Sequence, residues 1–578
     1  MVFRKVLNCL DSEPMLATFM AAVLLCYSAC SLAMDKEMTA GRPNILVIVA
    51  DDLGYSDLGV FGSEIATPNL NKLAERGVVF TQFYATPACS TTRASLLTGR
   101  DNHEVGLGAM AEAPMPEYAG NVRFSGGFTR GAVTVAERLR AAGYATMMSG
   151  KWHLGLEDYQ NPAAMGFDKS FALLRGAHNH FGMDQSGRYA ANGESSLYTH
   201  DGDVARFPEG AYSSDYFTER MIEFVSENAR SKKPFFAYLA FTAPHWPVQA
   251  PDEVIAKYRG RYDKGPETIR RERENRMREK GILSDTATTS PDSLTEWAGL
   301  SLKQRAASAR KMEIYAAMVD RMDNNIGRLL DSLEQLSVLS NTVVIFLSDN
   351  GPDPNDFEQP ISLVNARPLD VPFSNSLENL GSGTSFVGAG KDWARVSAAP
   401  FTGLKLSVHQ GGIRTPAIVA GPSVLGSGRL YRGAAHVLDI VPTILEFASI
   451  EDSVNPENPT DEPQWFGKAW QPALTGAKVA IKIDDRTMNW EFYSQRAARN
   501  GPYQAQYTPQ RSGGLGANII SRAKAAWQLY DIESDPGETI DISAVHPQVL
   551  SRLIAQWYDY SARVGIQTPD REKSEATR

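Results

Sequence analysis

Four short apolar runs that each break off into polar residues constrain this chain more than any other feature. Residues 44–50 stop at Asp51-Asp52, 144–149 give way to Gly150-Lys151-Trp152-His153, 235–241 lead to Thr242-Ala243-Pro244-His245, and 342–348 end in Asp349-Asn350-Gly351. Apolar runs of this length without alternation are what parallel strands covered on both faces require. Helical stretches separate them: 67–76, 134–142, 216–229 and 311–336, the last with Ile314, Met318, Met322, Ile326 and Leu330 at helical spacing. The alternation predicts an α/β fold with a large mixed, mostly parallel sheet sandwiched by helices. In such a sheet the carboxyl ends of the strands share one edge, and ligands bind in the crevice outside it. The four polar clusters are therefore expected to meet.

With 578 residues, 43% hydrophobic and 22% charged, the chain can bury a large core and falls outside the disordered, collagen-like and coiled-coil classes. A net charge of −9 excludes a broadly basic surface, so no nucleic-acid partner is expected, and an anionic substrate must be attracted locally. Residues 1–33 read as a signal peptide: Arg4 and Lys5 come early, 15–33 carry no charge, and Ser31-Leu32-Ala33 offers small residues for cleavage. Asp11 and Glu13 dilute the positive region. The same run could stay as an anchor, and Cys30 could carry lipid, although Tyr27 stands where a lipoprotein box prefers an aliphatic residue. Cleavage predicts an exported protein, periplasmic or secreted, without stable membrane association. Cys9, Cys26 and Cys30 would leave with the leader, so the exported chain would keep Cys89 alone and form no internal disulfide. The main domain is expected over 42–430 and a smaller α+β domain over 431–578, where shorter runs at 487–493 and 526–530 precede a helix at 547–564. Residues 269–280, dense in charge, read as a solvated helix face in an insertion. The Gly-, Ser-, Asn- and Pro-rich stretch 352–400 reads as a long loop, of the kind that shapes a binding site or is mobile.

Asp51, Asp52, Asp349 and Asn350 supply oxygen donors from two strand ends, and their three carboxylates would repel one another without a cation between them. Donors of this type, with no cysteine or histidine among them, favour Ca²⁺ or Mg²⁺ over Zn²⁺. Ser90, Thr91 and Thr92 favour a helix start and Gly99 a stop, which puts Cys89 at a helix N-terminus and Arg93 on the same face. Spacing alone leaves Cys89 as a nucleophile or a metal ligand. Lys151 and His153 follow one strand, and His245 another, stiffened by Pro244 and Pro247. Lys405 precedes the glycines of 409–414. With Arg93, these residues form a cationic cup suited to a tetrahedral oxyanion such as sulfate or phosphate.

Cys89 with Arg at plus four and the ending Leu96-Leu97-Thr98-Gly99, the segment 143–153 (GYATMMSGKWH), His245-Trp246-Pro247, Ser348-Asp349-Asn350-Gly351, Lys405 before Gly411-Gly412-Ile413-Arg414, and 527–531 with Asp535-Pro536 recur together in one family. In these features the sequence resembles the type I, formylglycine-dependent sulfatases of the alkaline phosphatase superfamily, and most closely the bacterial arylsulfatases, over nearly all of 42–560. The resemblance implies hydrolysis of sulfate monoesters, aryl sulfates first, to an alcohol or phenol and sulfate. It implies Ca²⁺, ahead of Mg²⁺, on Asp51, Asp52, Asp349 and Asn350, with position 89 completing the site. It also implies oxidation of Cys89 to Cα-formylglycine by a maturation enzyme. One hydroxyl of the hydrated aldehyde attacks sulfur, with Asp349 as base; His245 and Lys405 polarise the sulfate and protonate the leaving oxygen; Lys151 holds the sulfate oxygens. Arg93 supports the diol, and His153 removes the second hydroxyl's proton so that sulfate is expelled. Thr91 departs from the family pattern, which has Pro or Ala there, and bears on how Cys89 is modified. Two alternatives remain: a phosphonate monoester or phosphodiester hydrolase of the same superfamily, and a non-catalytic exported sulfoester-binding protein with an unmodified cysteine. Trp152, Trp246 and Trp393 are candidates for an aromatic pocket or for the core.

Overall fold

The computed structural model describes residues 41–183, 198–231, 233–357, 373–426, 428–450, 467–470, 474, 486–509 and 526–566. The expected signal peptide at 1–33, with Cys9, Cys26 and Cys30, lies outside them, as does part of the 352–400 loop.

The four apolar runs form β1 (Asn44–Ala50), β3 (Ala145–Lys151), β7 (Phe235–Ala240) and β8 (Thr342–Ser348). They are consecutive and parallel, in the order β8-β1-β7-β3, at the centre of an eleven-stranded sheet. Apart from Ala145 at the start of β3, every residue in these strands is buried. Their neighbours are β2 (Val78–Tyr84), β4 (Lys169–Leu173), β5 (Tyr198–His200), β6 (Asp203–Ala205), β9 (Arg414–Ala420), β10 (Arg429–Tyr431) and β11 (Ala435–His436). β9 runs antiparallel between β8 and β2, while β4-β5-β6 close the far edge as antiparallel ribbons, so the sheet is mixed and mostly parallel. Pro416 has no N–H for the ladder, and the β2–β9 register shifts between Phe80 and Phe83 opposite it. The Thr81 carbonyl accepts instead from Tyr55 Oη (3.0 Å) and Arg414 Nε (3.0 Å).

Helices α1 (Pro68–Arg76), α2 (Cys89–Thr98), α3 (Val135–Ala141), α4 (Ser213–Ala229), α5 (Pro266–Glu279), α6 (Leu302–Gln335), α7 (Lys391–Ser397) and α8 (Ile440–Phe447) belong to this unit. Two cores lie on opposite faces of the sheet. One holds Leu46, Ile48, Leu239 and the buried side of α6; the other holds Ile45, Val47, Tyr238, Leu97 and Ile444. α6 starts nine residues before the expected 311, at a capping box of Ser301 and Gln304 that apolar periodicity does not register. α5 has the expected solvated face, with Arg271, Asn275 and Glu279 exposed, but its other face is buried, which the charge-dense sequence does not show. Arg273 is fully buried, donating to Asp57 (2.6 Å) and to Glu64 (2.8 Å). Burial pushes Glu64 up, but the Arg273 guanidinium outweighs it and holds the carboxyl near 2.

The expected division at 430/431 falls within strands and a helix of the large unit, since β10 and β11 pair with β2 and α8 packs into the second core. The smaller unit is an antiparallel sheet of β12 (Met488–Phe492), β13 (Gln495–Asn500), β14 (Tyr503–Tyr507) and β15 (Trp527–Asp531), covered by α9 (Pro547–Arg563).

Candidate active site

Because β8, β1, β7 and β3 are parallel neighbours, their carboxyl ends deliver the expected residues to one place. Asp51 and Asp52 follow β1 and Asp349 and Asn350 follow β8, while Lys151 ends β3 and His245 lies five residues beyond β7. Asp52 has a φ of +64°, and its N–H donates to Asp349 Oδ1 (3.1 Å), which locks the two strand ends together. Close backbone packing sustains the site. A Cβ on Gly351 would lie 1.9 Å from the Gly411 carbonyl, and one on Gly412 2.1 Å from the Ser407 carbonyl, so only glycine fits at either position.

Cys89 is the first residue of α2 and is fully buried, its Sγ 3.4 Å from Asp51 Oδ1 and 3.6 Å from Asp52 Oδ1. Burial pushes its thiol well above the ordinary value. One turn on, Arg93 donates to Asp349 Oδ2 from Nε (3.0 Å) and Nη2 (2.7 Å), and from Nη1 to the Lys151 carbonyl (3.0 Å). Lys151 Nζ grips both Asp51 oxygens (3.0 and 2.8 Å), and Lys405 Nζ donates to Asp52 Oδ2 (2.9 Å). Thr91, where the resemblance leads one to expect Pro or Ala, turns its hydroxyl to the Ala88 carbonyl at 2.8 Å.

The electrostatics follow from burial and pairing. Burial raises Asp51 against the pull of Lys151, and raises Asp52 to about 7 against that of Lys405. Asp349 ends below the ordinary carboxylate range because Arg93 and Lys151 outweigh its burial. Lys151 and Lys405 are held above the usual lysine value, since Asp51 and Asp52 outweigh desolvation of the ammonium groups. His245 donates from Nδ1 to the Trp246 carbonyl (2.7 Å) and turns Nε2 toward Asp52 Oδ2 (3.5 Å); burial, then Lys405 and Lys151, depress its pKa well below 6.5.

The residues present fit a metal ion. Ligand atoms of Asp51, Asp52, Cys89 and His245 lie within 4.8 Å of one another. Asn350 donates from Nδ2 to Asp52 Oδ1 (2.7 Å) while its Oδ1 is buried without a partner among the described residues, an oxygen lone pair left for an ion.

His153 stands apart from this network. Its Nε2 lies 3.0 and 3.1 Å from the Glu112 oxygens, an acid on a loop whose irregular sequence gives no pattern to read. Asp353 was equally illegible; it accepts from Lys405 Nζ (3.3 Å) and from Trp246 Nε1 (3.3 Å). Trp152 and Trp393 are core residues, buried with their indole N–H groups bonded to Gln160 O and Ser308 O. Trp246 alone of the three is half-buried, against His245, Phe357 and Phe386.

A buried cysteine at a helix N-terminus, three carboxylates and three fixed cations at the carboxyl edge of an α/β sheet are what a hydrolase of anionic esters requires. The sulfatase family model matches residues 43–450, and the chain belongs to that family, the type I sulfatases of the alkaline phosphatase superfamily. It is a sulfuric ester hydrolase. It is 40% identical over 550 residues to an uncharacterized sulfatase of Schizosaccharomyces pombe, covering 93% of this chain and 97% of the relative. It is 38% identical over 414 residues to an arylsulfatase of Klebsiella aerogenes, covering 71% and 87%. The crystal structure of Ps i-CgsB in complex with k-i-k-neocarrahexaose superposes with a TM-score of 0.63 at 25% identity, covering 90% of this chain and 93% of that one.

Proposed function

We propose that the protein is an exported arylsulfatase in which Cys89, converted by a maturation enzyme to Cα-formylglycine, is the nucleophile and Ca²⁺ is the resident ion. The observation that carries this reading is the buried convergence of Asp51, Asp52, Asp349, Asn350, Arg93, Lys151 and Lys405 around position 89. Asp51, Asp52, Asp349 and Asn350 would hold the ion, which when bound supplies positive charge that favours an ionised hydroxyl at position 89. The formylglycine hydrate supplies a second hydroxyl, so that residue 89 can shed sulfate without attack by water on a second ester.

The chain's own residues do the rest. Asp349, kept ionised by Arg93, takes the proton of the attacking hydroxyl. Lys151 and Lys405, held as ammonium groups, bind the sulfate oxygens and exclude neutral esters. A bound sulfate monoester adds negative charge beside His245 Nε2, which favours the imidazolium; His245 and Lys405 then protonate the departing oxygen. His153 takes the remaining hydroxyl proton as sulfate leaves.

The aryl preference draws on the Klebsiella relative's name and on Trp246, whose ring centroid lies 4.7 Å from that of His245 and 4.8 Å from that of Phe357. Export draws on the residue 1–33 pattern; no helix among the described residues is long and apolar enough to cross a membrane. Rates on matched 4-nitrophenyl sulfate and phenylphosphonate monoesters, before and after chelation, test the reading. It requires preference for the sulfate and loss of turnover with the ion; a preferred phosphonate or chelator-indifferent turnover would contradict it. Trp246→Ala should raise KM for aryl sulfates more than for alkyl sulfates.

A further inference from the structure

His153 follows a buried strand end and is itself buried, with a φ of +60° that a non-glycine residue holds only under support from its surroundings. Three contacts define its ring. Nε2 faces both oxygens of Glu112 at 3.0 and 3.1 Å. The Cε1–Nε2 edge rests on Gly176, where an added Cβ would lie 2.6 Å from Cε1 and 2.8 Å from Nε2. Nδ1 is buried and has no hydrogen-bond partner among the described residues. Burial pushes Glu112 up, but pairing with His153, as charge and as hydrogen bond, outweighs it and brings the carboxyl to about 2. An ionised carboxylate only accepts, so Nε2 must carry a proton, and in the neutral ring Nδ1 is then the bare nitrogen.

We propose that Glu112 is a positioning residue for the second half of the reaction, fixing the His153 tautomer so that Nδ1 is the base that releases sulfate. This rests on the formylglycine reading of position 89. Nδ1 takes the proton of the hydroxyl that does not carry sulfate. That O–H electron pair becomes the carbonyl bond, the carbon–oxygen bond to the sulfate group breaks, and sulfate leaves with its electrons. Glu112 stays ionised and balances the imidazolium, and water rehydrates the aldehyde. Gly176 leaves the ring the space to hold this pose.

The test is Glu112→Gln in the full, matured chain, with 4-nitrophenyl sulfate as probe. The first half of the reaction does not use Glu112, so the variant should release its first equivalent of nitrophenol at the wild-type rate. Steady-state turnover should then fall roughly 10²- to 10⁴-fold, the span of a positioned general base. The peptide carrying position 89, quenched during turnover, should gain the mass of one SO₃ group in the variant and not in the wild type. Should the amide variant not fold, Glu112→Ala with added acetate replaces it, and acetate should restore part of the steady-state rate. A variant whose burst and steady state fall together, one that turns over as the wild type does, or an alanine variant indifferent to acetate overturns the proposal. A wild-type protein with an unmodified thiol at position 89 and no sulfate ester turnover contradicts the formylglycine reading itself, a different result from any of these.

Discussion

At position 245 the imidazole Nδ1 is tied to the Trp246 carbonyl, so only Nε2 is left to meet a substrate. A proton delivered from there matters most when the leaving oxygen is basic. His245→Ala should therefore steepen the dependence of kcat/KM on the pKa of a series of substituted phenols, losing more on poor leaving groups than on good ones; a uniform loss across the series would remove His245 from that step. The side chains at this scale were legible wherever chemistry is written in short sequence blocks: Asp51-Asp52, Cys89 with Arg93, Lys151 with His153, Asp349-Asn350. Their partners were not. Glu112 and Asp353 meet His153 and Lys405 across 41 and 52 residues, from loops with no periodicity that would mark them.

Among the elements, α5 departs most from its sequence pattern. Its charged run conceals Arg273, whose guanidinium joins Asp57 to Glu64 in the core. Arg273→Met would leave Asp57 without its guanidinium and Glu64 with only the longer contact to Arg276 (3.4 Å), and should lower the unfolding free energy by about 3 kcal/mol, read by urea denaturation; a change near zero would mean that those acids are satisfied without it. Strands β1, β3, β7 and β8 were legible because burial on both faces makes them continuous apolar runs. β9 was not, since Pro416 interrupts its pattern and the ladder bulges to accommodate it, and β5 and β6, at three residues each, are too short to show alternation. The Lys405 segment depends on elements far along the chain. His409 Nδ1 meets Glu538 (2.8 Å), Gln495 Nε2 donates to the Leu406 carbonyl (2.7 Å), and Gln410 Nε2 to Gln504 (2.8 Å). Glu538→Ala should thus loosen the Lys405 segment and cut kcat for 4-nitrophenyl sulfate by about tenfold in steady-state assays; an unchanged kcat would show that the segment holds without it.

Across the whole molecule, the small sheet is a buttress to the catalytic edge. Trp490 Nε1 donates to the Ala85 carbonyl (2.9 Å), and His103 bridges Asp101 (2.7 Å) and Glu491 (3.0 Å) between the two units. Burial opposes the charge on His103, but the two carboxylates outweigh it and raise its pKa to about 9. A folded value above the ordinary 6.5 means that the protonated ring stabilises the fold. That contribution, on the order of 3 kcal/mol, is complete below pH 6.5 and lost as pH rises through about 9. Unfolding free energies measured across this window should fall with pH, and His103→Asn should flatten the fall. The domain arrangement was only partly legible, because β10 straddles the expected division and β11 and α8 follow it in sequence, yet all three pack on the large sheet. Everything at the sheet edge converges on residue 89, so the most direct test is the mass of the peptide that contains it, taken from preparations of known specific activity. The account predicts an aldehyde in place of the thiol, in a fraction that rises in proportion to turnover; an unmodified cysteine in fully active protein would contradict it.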